Sequence, residues 1–301
     1  GQQMLMQIEE FEKSQLPSDA RLVASQYQRL NWSRGEADQQ LARLIDTHYR
    51  NANLRISVSQ TLLNRLIPAQ PSRTTRIRDT ILGNPTQGWG RTDTQLGIRL
   101  IPDAARLRFA LQAHGQTHAD TDTTSGPVVV RTHTDATFLA EKEFAISPEG
   151  IEDQPATVEA DSIPPLRSIR SGFDFLPIFR SLVHNTARSR HDGDREQARA
   201  EARFKLRRRV GTEMESTLAP KIVQINSQLQ SRVVQPLKDM DLRPEVISAS
   251  TTDRRMTLRL RLAGDDQLAG HAPRPRAPGD NLVSLQIHQS ALNNICQQLG
   301  W

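Results

Sequence analysis

Apolar residues recur along this chain with two different periods, and the places where the period changes mark out its elements. In residues 4–50 the spacing is helical. Leu5, Ile8 and Phe11 share a stripe, Pro17 interrupts it, and Ser18-Asp19 offers a cap to a second helix carrying Leu22, Val23, Tyr27 and Leu30. A third helix after Gly35 aligns Leu41, Leu44, Ile45 and Tyr49. From Leu54 the pattern turns to the alternation of a strand, Leu-Arg-Ile-Ser-Val, and runs straight into a short helix. Ser59 is placed to cap that helix, Leu62, Leu63, Leu66 and Ile67 form its apolar face, and Pro68 and Pro71 end it.

Residues 73–147 read as a meander of antiparallel strands with one wet face. Leu96, Ile98 and Leu100 share a face before the turn at Pro102-Asp103. Leu107, Phe109, Leu111 and Ala113 then point inward against Arg106, Arg108 and Gln112, and Val128, Val130, Ala136 and Phe138 oppose Arg131, His133 and Asp135. These strands are longer than the usual five or six residues. Pro148, Pro155, Pro164 and Pro165 make 148–170 an irregular connection, followed by an aromatic cluster from Phe173 to Phe179. Residues 193–239 carry a long helical stripe, Leu206, Val210, Met214, Leu218 and Ile222, continued by Ile225, Leu229, Val233 and Leu237, with a kink or break expected at Pro220. Met256, Leu258, Leu260 and Leu262 alternate with polar residues in a further strand.

The expected organisation is an N-terminal helical segment (1–52), a domain of antiparallel sheet plus long helix (53–264), a Gly- and Pro-rich linker (265–281) and the start of a second strand-helix unit (282–301). That last expectation comes from an internal similarity: 55–67 aligns without gaps on 284–296. Gln60/Gln289, Leu63/Leu292 and Asn64/Asn293 are identical, and Ile56/Leu285, Val58/Ile287, Thr61/Ser290 and Leu66/Ile295 are alike in character. The second copy reads as the opening of a further module, with the chain as a fragment. A pseudo-symmetric mate within one barrel is the rival geometry.

Composition narrows the class. With 36% apolar and 24% charged residues the chain can bury a core, and with only 4% aromatics that core rests on Leu, Ile, Val and Ala. No stretch reaches the roughly 18 apolar residues of a membrane-spanning helix. The net charge of +5 permits an anionic partner, but acidic residues are interspersed almost everywhere, which argues against nucleic acid. Cys296 is the only cysteine, so no internal disulfide forms and cysteine usage does not fix the compartment. Periplasmic or secreted is the guess.

No cluster reads as a catalytic site. His114, His118, Asp120 and Asp122 share strand parity but oppose the apolar residues, so they are expected on a solvated face, without the second layer of partners a metal site needs. Ser189, His191, Asp192 and Asp194 resemble a triad in composition only, and the aspartates suit the start of the long helix. Gly83, Gly88 and Gly90 suit turns or bulges rather than a phosphate loop. In the basic run Arg203–Arg209, Phe204 and Leu206 are expected on the buried stripe. The Phe173–Phe179 cluster is expected to dock in the core, with a membrane-contacting lip or a plug over an apolar cavity as the functional readings. No metal and no cofactor is expected.

The order strand, short helix, long meander, long striped helix, strand resembles the tubular lipid-binding (TULIP) superfamily over residues 53–263. Ile56-Ser-Val-Ser-Gln-Thr-Leu-Leu-Asn64 is similar to the strand-to-helix start of bacterial envelope members. The resemblance implies an α+β fold in which a long, curved antiparallel sheet packs around a long amphipathic helix and encloses an apolar groove. It implies a non-catalytic module for lipid or another apolar ligand, in the bacterial envelope. Inward-facing Leu107, Phe109, Leu111, Val128, Val130, Phe138, Val210, Met214, Leu218, Met256, Leu258 and Leu260 would line the groove. The alternative is a structural or interaction module of a larger secreted protein, with a solid interior and other modules of the same chain as partners.

Overall fold

The computed structural model describes residues 2–126, 128–147, 150–163, 166–171, 177–271 and 280–299. Its first elements are three helices, α1 (Gln2–Ser14), α2 (Pro17–Trp32) and α3 (Glu36–Tyr49). Helix α2 begins on Pro17 itself, with Leu16 as the extended residue before it. The helices do part at Pro17, as expected, but the cap is corrected: Ser18 and Asp19 lie inside α2, since proline suits the first helical position, where its missing N–H has no partner to lose. Met4, Phe11, Val23, Ala24 and Ile45 form the buried core of this helical layer together with Leu268.

Strand β1 (Leu54–Ser59) passes into α4 (Gln60–Leu66), and Ser59 Oγ accepts the Leu62 N–H at 3.2 Å, as the spacing predicts. The meander follows as β2 (Arg73–Ile81), β3 (Asn84–Leu100), β4 (Leu107–Ser125), β5 (Val128–Ser147), β6 (Gly150–Asp153), β7 (Thr157–Ile163) and β8 (Leu166–Ser171). They form a seven-stranded, strongly curled antiparallel sheet in the order β2-β3-β4-β5-β6, with β7 and β8 both paired to β5. Leu82 and Gly83, at φ 48° and 78°, make the two-residue turn between β2 and β3. Gly115 has another role: a Cβ there would lie 2.0 Å from the Phe138 ring, so its hydrogen is what lets that ring lie on the sheet.

The long helix α5 (Pro177–Leu229) crosses the inner face of this sheet, continues through a π-helical turn (Gln230–Val234) and ends in α6 (Gln235–Asp239). Two expectations are corrected here. The helix begins before 193, so Asp192 and Asp194 lie inside it rather than at its start. It also runs unbroken through Pro220. Proline deletes only the bond to the carbonyl four residues back, and on this exposed stretch water can take that carbonyl. The irregularity falls before Pro236 instead, where the Gln235 N–H bonds Gln230 O. The five-residue step shifts the ladder and accommodates the next proline.

The chain returns as β9 (Arg243–Thr251), β10 (Arg255–Ala263) and β11 (Val283–Ile287), and then α7 (Gln289–Gln298). With β1 these strands build a second antiparallel sheet in the order β11-β1-β10-β9. The two sheets meet where Asp103 and Thr251 exchange backbone hydrogen bonds of 2.9 and 2.7 Å. Residues 265–271, expected to begin a linker, are largely built into the fold: Gln267, Leu268 and Ala269 are buried, and Asn51 pairs with Gly270. The Arg50 guanidinium, itself buried, donates to the Gln267 carbonyl, and the half-buried Asn51 side chain caps the adjoining amide of Ala52, so the stretch closes over the helical layer. Strand β11 lies antiparallel against β1, with Ile56 directly opposite Leu285.

Candidate apolar ligand site

Strand alternation puts one apolar face on the four-stranded sheet, and the register stacks it into rows. Ile287, Leu54, Leu260 and Val246 form one row; Leu285, Ile56, Leu258 and Ala249 the next; Val283, Val58 and Met256 the third. None of these side chains is buried, and on β11 exposure reaches 52% at Val283 and 58% at Leu285. The opposite face carries Ser57, Thr257, Arg255 and Arg259, and there the Ser57 and Thr257 hydroxyls are 3.2 Å apart while Arg255 Nε donates to Ser57 Oγ. The sheet thus seals its polar side with its own hydrogen bonds and leaves its apolar side open.

The face between α5 and the seven-stranded sheet is built differently. Phe138, Ala140, Ala113 and Met214 are buried together, with Leu96, Leu111, Leu206, Val210, Leu218 and Val158 packed around them. One polar side chain joins them. Lys142 occupies an inward position on β5 with only 2% of its side chain exposed, and its ammonium donates to Glu215 of α5 at 2.7 and 2.8 Å and to Gln154 O at 3.0 Å, with Asp153 at 2.5 Å. Burial pulls the Lys142 pKa down, but the hydrogen bonds and charges of Asp153 and Glu215 together outweigh it and hold the group above its ordinary value. The hydrogen bond from Lys142, then the Ala156 N–H, hold Glu215 below the usual carboxylate range.

A cleft of about 750 Å³ opens beside this packed cluster, between residues 67–70 and strands β3 to β5. Leu96, Phe138, Ile67, Pro68 and Ala69 give it apolar walls, and Gln70, Asp93, His114 and Gln116 a polar rim. Its size is that of a site for a small organic ligand.

The groove residues expected from sequence therefore fall into distinct places. Met256, Leu258 and Leu260 lie on the open sheet face, joined there by Leu54, Ile56, Val58, Val283, Leu285 and Ile287, which sequence reasoning saw only as two similar strands. Leu111, Phe138, Val210, Met214 and Leu218 belong to the packed cluster. Leu107 is buried near the start of β4, Phe109 stacks on Phe144 at 5.1 Å, and Val128 and Val130 are half-buried opposite Ser171 and Ile169 of β8. Sequence reasoning missed Lys142; a lysine at an inward position among Ala140 and Phe144 was the available signal.

Other expectations resolve as follows. Phe204 is 64% exposed rather than on the buried stripe, because two residues before Leu206 is the far side of a helix. Arg203 and Lys205 pair with Asp161 and Asp79. His118, Asp120 and Asp122 lie on the outer face, each paired across the sheet with Asp135, His133 and Arg131, while His114 stands opposite Leu139. The side chains of Ser189, His191, Asp192 and Asp194, and of the Phe173–Phe179 cluster, lie outside the described residues. Among the described residues no helix is long and apolar enough to cross a membrane.

No family model matches this chain, and no curated protein matches it. Among solved structures it is similar to one described as the crystal structure of lipopolysaccharide binding protein, at a TM-score of 0.29 and 10% identity. The match covers 79% of this chain and 57% of that one, so the chain spans little more than half of that protein's length. A likeness that weak leaves the function to be argued from the geometry.

Proposed function

We propose that this chain is a non-catalytic binding module for a lipid or another apolar ligand, received on the apolar face of the four-stranded sheet, with the envelope placement implied by the family resemblance as part of the same reading. The observation that carries it is the three-row face itself. Scattered exposed apolar residues are ordinary, whereas a contiguous apolar patch on four adjacent strands marks a surface that meets something apolar. The cleft beside Phe138 offers a second apolar wall on the curled sheet. Gentle extraction followed by native mass spectrometry is expected to retain lipid. A fluorescent fatty acid is expected to bind the wild-type chain, and Leu258→Glu or Ile56→Glu, which place a charge in the middle row, to weaken that binding at least tenfold. A chain that repeatedly emerges empty and ignores the probe overturns the proposal.

A second reading, an interaction module of a larger protein, is favoured by a separate observation. In the first of the two similar segments, Gln60 and Asn64 hydrogen-bond the backbone of β3, whereas the aligned Gln289 and Asn293 are exposed. On this reading the segments are two copies of one strand-helix unit, related by a local two-fold between Ile56 and Leu285, and the second copy receives the strand edge of another module. The packed cluster at Met214 supplies the solid interior such a module needs.

A further inference from the structure

The outer face of the curled sheet carries a polar ladder that the apolar-ligand reading does not use. Strands β4 and β5 pair so that His118 stands opposite Asp135, Asp120 opposite His133 and Asp122 opposite Arg131. All six therefore share one face, and the upper four make a square of two histidines and two aspartates in diagonal alternation.

From this geometry we infer that His118, His133 and Asp135 form a binding site for a divalent transition-metal ion of the zinc class. His118 Nδ1 lies 2.6 Å and His133 Nε2 3.2 Å from the same oxygen, Asp135 Oδ1. The ligand atoms of the three residues all lie within 4.8 Å of one another. Zinc bonds to imidazole nitrogen and carboxylate oxygen are about 2.0–2.2 Å long, so tetrahedral ligand atoms stand about 3.3 Å apart. The His133–Asp135 pair already stands at that separation, and the His118–Asp135 pair lies closer. Two imidazoles and one carboxylate leave a fourth position to water on this open face. This donor set suits zinc, copper or nickel, whereas calcium and magnesium demand several oxygen ligands.

The second observation is the partner behind the ligand. His133 Nδ1 lies 3.0 Å from Asp120 Oδ1, so a proton held on Nδ1 leaves the Nε2 lone pair facing Asp135 and His118. A carboxylate orienting a ligating histidine is the arrangement that sequence reasoning held to be missing here. The cations nearby are otherwise engaged. Arg131 is held by both oxygens of Asp122 at 2.9 and 3.1 Å, and Arg91, opposite His118 on β3, turns to Asp93 and Ser72. The ion takes the Nε2 lone pair of His133, the freed Nδ1 lone pair of His118 and the Asp135 carboxylate, any proton between His118 Nδ1 and Asp135 passes to solvent, and no oxidation state changes.

The test is calorimetric titration of the whole 301-residue chain with Zn²⁺ in a Cys296→Ser background, which removes the exposed thiol as a competing ligand. One ion per chain is expected, with Co²⁺ giving the absorption of a tetrahedral site and Mg²⁺ and Ca²⁺ failing to compete. His118→Ala and His133→Ala should each weaken binding at least tenfold with the circular dichroism spectrum unchanged. Asp120→Asn, which removes a group that touches no ion, should weaken it by roughly tenfold or more. His271→Ala, which alters the separate His271–His288 pair, should leave it intact. Absence of saturable zinc binding, undiminished affinity in the His118→Ala/His133→Ala double variant, or loss of binding in His271→Ala instead would each overturn the assignment.

Discussion

Lys142 shows how much a single residue can tie together. It sits at an inward position of β5, and its ammonium joins the sheet, the β6 region at Asp153 and Gln154, and the long helix at Glu215. Losing it leaves two carboxylates, 38% and 44% exposed, without their cation. That exposure lets water recover part of the loss, so Lys142→Ala is expected to cost about 2 kcal/mol in urea denaturation and Lys142→Met less, because it keeps the volume. The pH dependence has two arms. The Glu215 pKa is lowered on folding, so its contribution is complete above the ordinary 4.5 and lost as pH falls through the lowered value. The Lys142 pKa is raised, so its contribution is complete below 10.5 and lost as pH rises through the raised value. Stability measured across pH should flatten at both ends in Lys142→Met. Gly115 sets a steric condition nearby. A methyl group there meets the Phe138 ring at 2.0 Å, so Gly115→Ala should cost about 1–3 kcal/mol, and pairing it with Phe138→Leu should recover part of that in a double-mutant cycle.

At the scale of elements, the joint between α4 and β3 shows how the end of a long strand is capped where its neighbour stops. Strand β2 covers β3 only as far as Thr92. Beyond it, Asn64 accepts from the Ile98 N–H at 2.6 Å and donates to the Ile98 carbonyl at 2.9 Å, and Gln60 accepts from the Leu100 N–H at 3.0 Å. Two side chains of a seven-residue helix thus stand in for a neighbouring strand. Asn64→Ala should cost about 1–3 kcal/mol and speed hydrogen exchange at the Ile98 amide, since a half-buried N–H and C=O both lose their partner. Asn293→Ala at the aligned, exposed position should leave the stability of this chain within about 0.5 kcal/mol of wild type. Equal losses at both positions would show that the α7 asparagine also has a partner within this chain.

At the scale of the molecule, the helical layer, the four-stranded sheet and the curled sheet are held by different means. Leu268 enters the core of α1 to α3, while Arg261 reaches from β10 to Asp46 at 2.9 Å and to the Arg50 carbonyl at 2.9 Å. The helix-to-sheet interior is filled around Met214, and the apolar face of the four-stranded sheet is left open. The ligand and the zinc proposals concern separate sheets, so Leu258→Glu should not disturb zinc binding and His133→Ala should not disturb fatty-acid binding.

Local pattern alone determined the long strands and their faces, the Ser59 cap and the α+β class, because side-chain period and capping chemistry are properties of neighbours in the chain. But it read 148–170 as an irregular connection where pairing with β5 makes strands β6, β7 and β8. It could place Met256, Leu258 and Leu260 on one face, but not say whether anything would cover them. That was decided by which elements arrive from far along the chain: β11 beside β1, α5 over Phe138 rather than over Leu258, Glu215 against Lys142. Strand pairing, too, brought His118 beside His133 and Asp135. Periodicity fixes which way a side chain turns, whereas burial and site geometry depend on partners that local sequence does not contain.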